Sequence, residues 1–254
     1  MNIITEPLRL ATGNHAAGSG KGCAMNLISW ENGDTTITDF PDCSDKLLAR
    51  IVQRVNDGIC THRQGDLLCP ACSVAVLELA HRTVGTGRLP LTDLERHVIW
   101  VKIAVDQAKQ VTHLVPERHR GIALNAIRAA EQWTQNPTSA ANAANAANAA
   151  NAAYAANAAN AANAAYANAA YAAAYAAANA ANAAYANAAY AANAAANAAY
   201  AAVREDGPGA RLIFAKRALD LFDELTAHVQ PPVDEQTVAR AYACMVSGGA
   251  AVDR

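Results

Sequence analysis

The chain has 254 residues, 53% hydrophobic and 17% charged, with 20 Lys+Arg against 22 Asp+Glu. That length supports one or two domains with a real core, and the near balance of charge removes the main source of affinity for duplex nucleic acid. The averages conceal a split, because positions 139 to 202 hold 43 Ala, 13 Asn, 7 Tyr and one Ser, so every charge lies elsewhere.

The first twenty residues, MNIITEPLRLATGNHAAGSG, lack a basic start followed by a continuous apolar core, which predicts a cytoplasmic protein. Cys23, Ala24, Leu27 and Ile28 then recur at helical spacing, with Asn32-Gly33 placed to close the helix through a left-handed residue. The rival reading is a hairpin turning at Asn32-Gly33 between MNLISW and TTITDF; the helix is preferred. In SDKLLARIVQRVNDG, Ser44 can cap, Leu47, Leu48, Ile51 and Val55 face inward, and Gly58 stops the helix. Ser73 is expected to cap VAVLELAHRTVG, which Gly85 ends. Thr92 with Glu95 forms a capping box for a helix running to about Leu114, with Leu94, Val98, Val101 and Val105 on one face. Pro116 opens a further helix through Ile122, Leu124, Ile127 and Trp133.

Asn136-Pro137 offers a cap and a first-turn proline, and no breaker recurs until Gly207-Pro208-Gly209. The high helix propensity of Ala predicts a helix there, about 96 Å long if unbroken. Its longest stretch without Asn is ten residues, Ala169 to Ala178, too short for a membrane span, which takes about twenty. From Asn142 to Tyr166 a polar or aromatic residue falls at every third position, so these positions wind round the helix instead of marking a stripe. Six of the seven tyrosines share an arc of about 140°. An Ala surface permits close helix approach, with amides and rings available at the contact, which favours self-assembly over a solvated spacer or an ice-binding surface. After the breaker, ARLIFAKRALDLFDELTAHV is amphipathic, with Leu212, Leu219, Phe222 and Leu225 near one side, and a last short helix is expected over Glu235 to Val246. The fold expected is all-α: a compact helical head over 1–136, an Ala-rich helical rod over 137–206 and C-terminal helices over 207–254.

Six cysteines in a mid-sized chain without an export signal point to free thiols or a metal site, not a disulfide framework. The densest cluster is Cys60-Thr61-His62 followed by Cys69-Pro70-Ala71-Cys72, with His81 nine residues further on. Two thiolates and two more N or S ligands from Cys60, His62, Cys69, Cys72 and His81 would satisfy tetrahedral zinc. The alternatives are small thiols buried in a helical core, or a redox dithiol at a helix start, which lacks a preceding βαβ pattern. Gly18-Ser19-Gly20-Lys21-Gly22 resembles a phosphate loop but has His15 where the earlier Gly is needed and no Ser/Thr after Lys21. His113, His119 and the run Glu117 to Arg120 read as a solvated helix end before they read as an anion site. No catalytic residues can be assigned from the pattern.

The runs GCAMNLISWENGD, DCSDKLLARIVQRVND and LAHRTVGT resemble uncharacterised Ala-rich-repeat proteins of actinobacteria and their phages, over residues 8 to 130. The resemblance implies no activity and gives no residue a role. Together these readings anticipate a non-enzymatic phage or actinobacterial protein that forms a homo-oligomer through its Ala-rich rod. The competing class is a binding protein that sequesters a small ligand or a host factor, with the rod as scaffold.

Overall fold

The computed structural model describes residues 9–13, 15, 20–138, 197 and 209–229. The helices expected over 139–202 and 235–246, apart from Asn197, and Cys244 with them, lie outside the described residues. Within the described residues the architecture is all-α, with six α-helices, two short 3-10 turns and no strand. None of these helices is long and apolar enough to cross a membrane.

Helix α1 spans Ala24–Glu31, and the Asn26 side chain accepts from the Cys23 backbone N–H at 3.1 Å to seal its start. Gly33 follows at φ +80°, a left-handed turn that Gly adopts without a Cβ penalty, so the helix forms and not the hairpin. Helix α2 spans Lys46–Gly58, but its cap is Asp45, one residue past the expected Ser44. The Asp45 carboxylate accepts from Leu47 N at 2.9 Å, from Trp100 Nε1 at 2.9 Å and from Arg96 Nη1 at 2.6 Å. A carboxylate only 1% exposed needs such a set, and the ion pair supplies the charge it faces. Ser44 instead exchanges a hydrogen bond with Thr83 at 2.8 Å.

Helix α3 spans Pro70–His81 and starts earlier than Ser73, because Pro70 suits the first helical position and Cys69 takes the cap position. The Ser73 hydroxyl donates to the Cys69 carbonyl at 3.1 Å and accepts from Leu10 N at 3.0 Å, so it ties the N-terminal segment down. Helix α4 spans Asp93–Gln110 with the Thr92–Glu95 capping box in place, and the chain then tightens into a 3-10 turn at Thr112–Leu114. Its buried face runs through His97, Trp100, Val101, Ala104, Val105 and Ala108, leaving Leu94 exposed. Helix α5 spans Glu117–Gln135 and buries Ala123, Ala126, Ile127, Ala130 and Trp133.

Helix α6, Ala210–Thr226, packs against both α2 and α4. The sequence reading placed it in a segment of its own, whereas Phe214, Ala218, Leu219 and Phe222 join the same core as α1 to α5. Its polar side pairs outward: Arg82 holds Asp220 at 2.9 Å and Asp223 at 2.7 Å, and Arg217 holds Asp106 at 3.0 Å. Helix α4 therefore supports α5 on one part of its surface and α6 on another.

Candidate metal centre

The link between α2 and α3 is a closed loop. Gln64 and Leu67 exchange backbone hydrogen bonds at 3.0 and 3.1 Å around Gly65, whose φ of +63° makes the reversal. The returning limb is fastened to the N-terminal segment: Leu68 N donates to Leu10 O at 2.8 Å, and Arg9 Nε donates to Leu68 O at 3.0 Å. Arg9 also reaches Gln64 Oε1 at 2.7 Å, and Leu68 is fully buried beneath. This reversal returns Cys69 to Cys60, where the Cys69 N–H donates to Cys60 Sγ at 3.3 Å. Cys72 completes the group from the first turn of α3, three residues on and so on the same side of the helix.

The three sulfurs of Cys60, Cys69 and Cys72 all lie within 4.8 Å of one another, each on a half-buried residue. Tetrahedral zinc with bonds of about 2.3 Å sets its sulfurs about 3.8 Å apart, so the group needs to close by about an ångström at most. Cys69 is the natural first ligand. The Cys72 backbone N–H and then the Cys72 thiol hydrogen-bond to its sulfur and hold its pKa below the ordinary thiol value. Cys72 moves the other way, pushed up to about 12 by burial and by its hydrogen bonds to Cys69 and Cys60. A divalent cation placed among them would displace the remaining thiol protons, since a thiolate and not a thiol is the ligand.

Of the five residues singled out in the sequence, the structure brings Cys60, Cys69 and Cys72 together and leaves both histidines outside the group. His62 is exposed on the loop, its Nδ1 lying 3.2 Å from the Thr61 hydroxyl. His81 is nine residues beyond Cys72, about 13.5 Å along the helix, and is occupied there. Its Nε2 lies 2.9 Å from Glu31 Oε2 on α1, and its Nδ1 lies 3.1 Å from the Leu77 carbonyl. The reading of buried core thiols describes Cys23 and Cys43, which are 5% and 1% exposed, and not this trio. The redox reading finds no strand before α3 among the described residues.

The other motifs have local uses. Lys21 pairs with Asp66 at 2.6 Å. Arg120 donates to the Val115 and His113 carbonyls at 3.2 and 3.3 Å, so at least this member of the basic run fastens the start of α5. Sequence reasoning overlooked the Gln64–Leu67 closure that assembles the cluster; Gly65-Asp66, a turn signal within the ligand spacing, was the available clue. Comparison with known proteins finds no matching family model, no matching curated protein and no matching solved structure.

Proposed function

We propose that the chain is a non-enzymatic metal-holding protein in which zinc, on the thiolates of Cys60, Cys69 and Cys72, clamps the α2–α3 loop to the start of α3. The observation that carries this reading is the convergence of three sulfurs within 4.8 Å from two separate stretches of chain. Thiolate ligands select soft or borderline cations such as Zn(II) and Cu(I), and hard cations that seek oxygen are disfavoured. Protein expressed with ample zinc should carry about one metal per chain and lose thermal stability on chelation. Cys69→Ser should lose both the metal and the chelator response, while zinc affinity of the parent falls as pH falls, because protons compete for the thiolates. Elemental analysis that finds no metal would end this reading.

A second reading, self-association through residues 139–202, is favoured by where the flanking helices sit. The end of α5 at Gln135 lines the same groove as Leu221 and Leu225 of α6. The first residue of α6, Ala210, is then only about 16 to 22 Å back along its helix. We infer that the Ala-rich segment, inserted in sequence between α5 and α6, mediates self-association with a second copy of the chain. Light scattering of the whole protein over a range of concentrations tests it, and a monomer throughout would remove the second copy.

A further inference from the structure

We propose that His62 is the fourth ligand, turning inward to close the Cys60, Cys69 and Cys72 group into a tetrahedral zinc site; this rests on the metal-holding reading above. Three thiolates leave one corner of a zinc tetrahedron open, and structural sites fill all four. Among the described residues no other His, Cys, Asp or Glu joins the three sulfurs. The carboxylate on the loop, Asp66, is engaged by Lys21 at 2.6 Å, and His81, at the end of α3, is held against α1 by Glu31.

His62 stands two residues from Cys60, so their Cα atoms are at most about 7.6 Å apart. The stretch Thr61 to Gly65 is exposed, whereas the three cysteines are half-buried. The recorded polar neighbour of His62 is also suited to the task. With Nδ1–H donating to the Thr61 hydroxyl oxygen, at 3.2 Å here, the imidazole is the tautomer whose lone pair is on Nε2. A ligating histidine characteristically uses its other nitrogen in this way, to fix its tautomer and orientation. To reach the open corner, the exposed ring would turn about its side-chain torsions from one staggered rotamer to another.

The full-length protein, loaded with zinc alone, tests this through competition with a chromophoric chelator and through the ¹⁵N resonances of the His62 ring. Zinc should shift Nε2 to the position of a metal-bound nitrogen, His62→Ala should weaken binding by at least about tenfold, and His62→Cys should restore it. Binding by the parent that is unchanged in His62→Ala, with an unshifted ring, overturns the assignment and leaves the three-thiolate site standing. A parent that takes up no zinc overturns both.

Discussion

Cys23, at the start of α1, donates its thiol proton to Asp39 Oδ1 at 3.4 Å, and burial pushes its pKa from 9.0 up to about 12. Because the folded value exceeds the unfolded one, the neutral thiol's contribution is complete below about pH 9 and is lost as pH climbs towards 12. Cys23→Ala should flatten that alkaline limb in urea unfolding at stepped pH values. In the metal-free protein Cys72 is raised in the same sense, so some slope will remain in the variant; a slope identical to the parent's would show that folding does not raise the Cys23 pKa. Gln107 presents a different residue-level strain, since it is fully buried on α4 with neither amide atom hydrogen-bonded. Gln107→Met keeps the shape and removes the desolvation cost, and should raise stability by about 1 kcal/mol. A loss instead would indicate that the amide holds an internal water.

At the scale of elements, α6 is the test of how the head is built. Phe222 is fully buried where α6 meets the core, so Phe222→Ala should cost about 3 to 5 kcal/mol, read from denaturant unfolding of the whole protein. A cost near zero would mean that α6 rests on the head without completing it. The helical periods of α1 to α5 were legible because amphipathic spacing and the Thr92–Glu95 box are local signals. The caps at Ser44 and Ser73 were misplaced for a tertiary reason: their hydroxyls are engaged by Thr83 and by Leu10 N, partners 39 and 63 residues away. The cysteine cluster was half legible for the same reason. Spacing gave the three thiols, but only the packing of α1 against α3 reveals that Glu31 takes His81. Nor could periodicity alone show what the apolar face of α6 covers, since a long stretch of Ala, Asn and Tyr separates it from its partners α2 and α4.

For the whole molecule, the Ala-rich stretch is an insertion between two helices of one core, which makes it removable in principle. Deleting residues 139–202 and joining the flanks with a flexible linker should leave a folded head that still binds zinc and is monomeric by light scattering, whereas the parent should be oligomeric. A deletion that unfolds the head would show that the segment is part of its support. The same topology sets the order in which a new chain can finish folding. Arg211 of α6 donates to the Gly58 carbonyl at the end of α2 across 153 positions of sequence. At synthesis rates of about 5 to 20 residues per second, the interval between α5 and the end of α6 is on the order of 5 to 18 s. For that interval the surfaces of α2 and α4 that receive α6 have no cover from it, and the emerging chain is at its most open to chaperones and proteases.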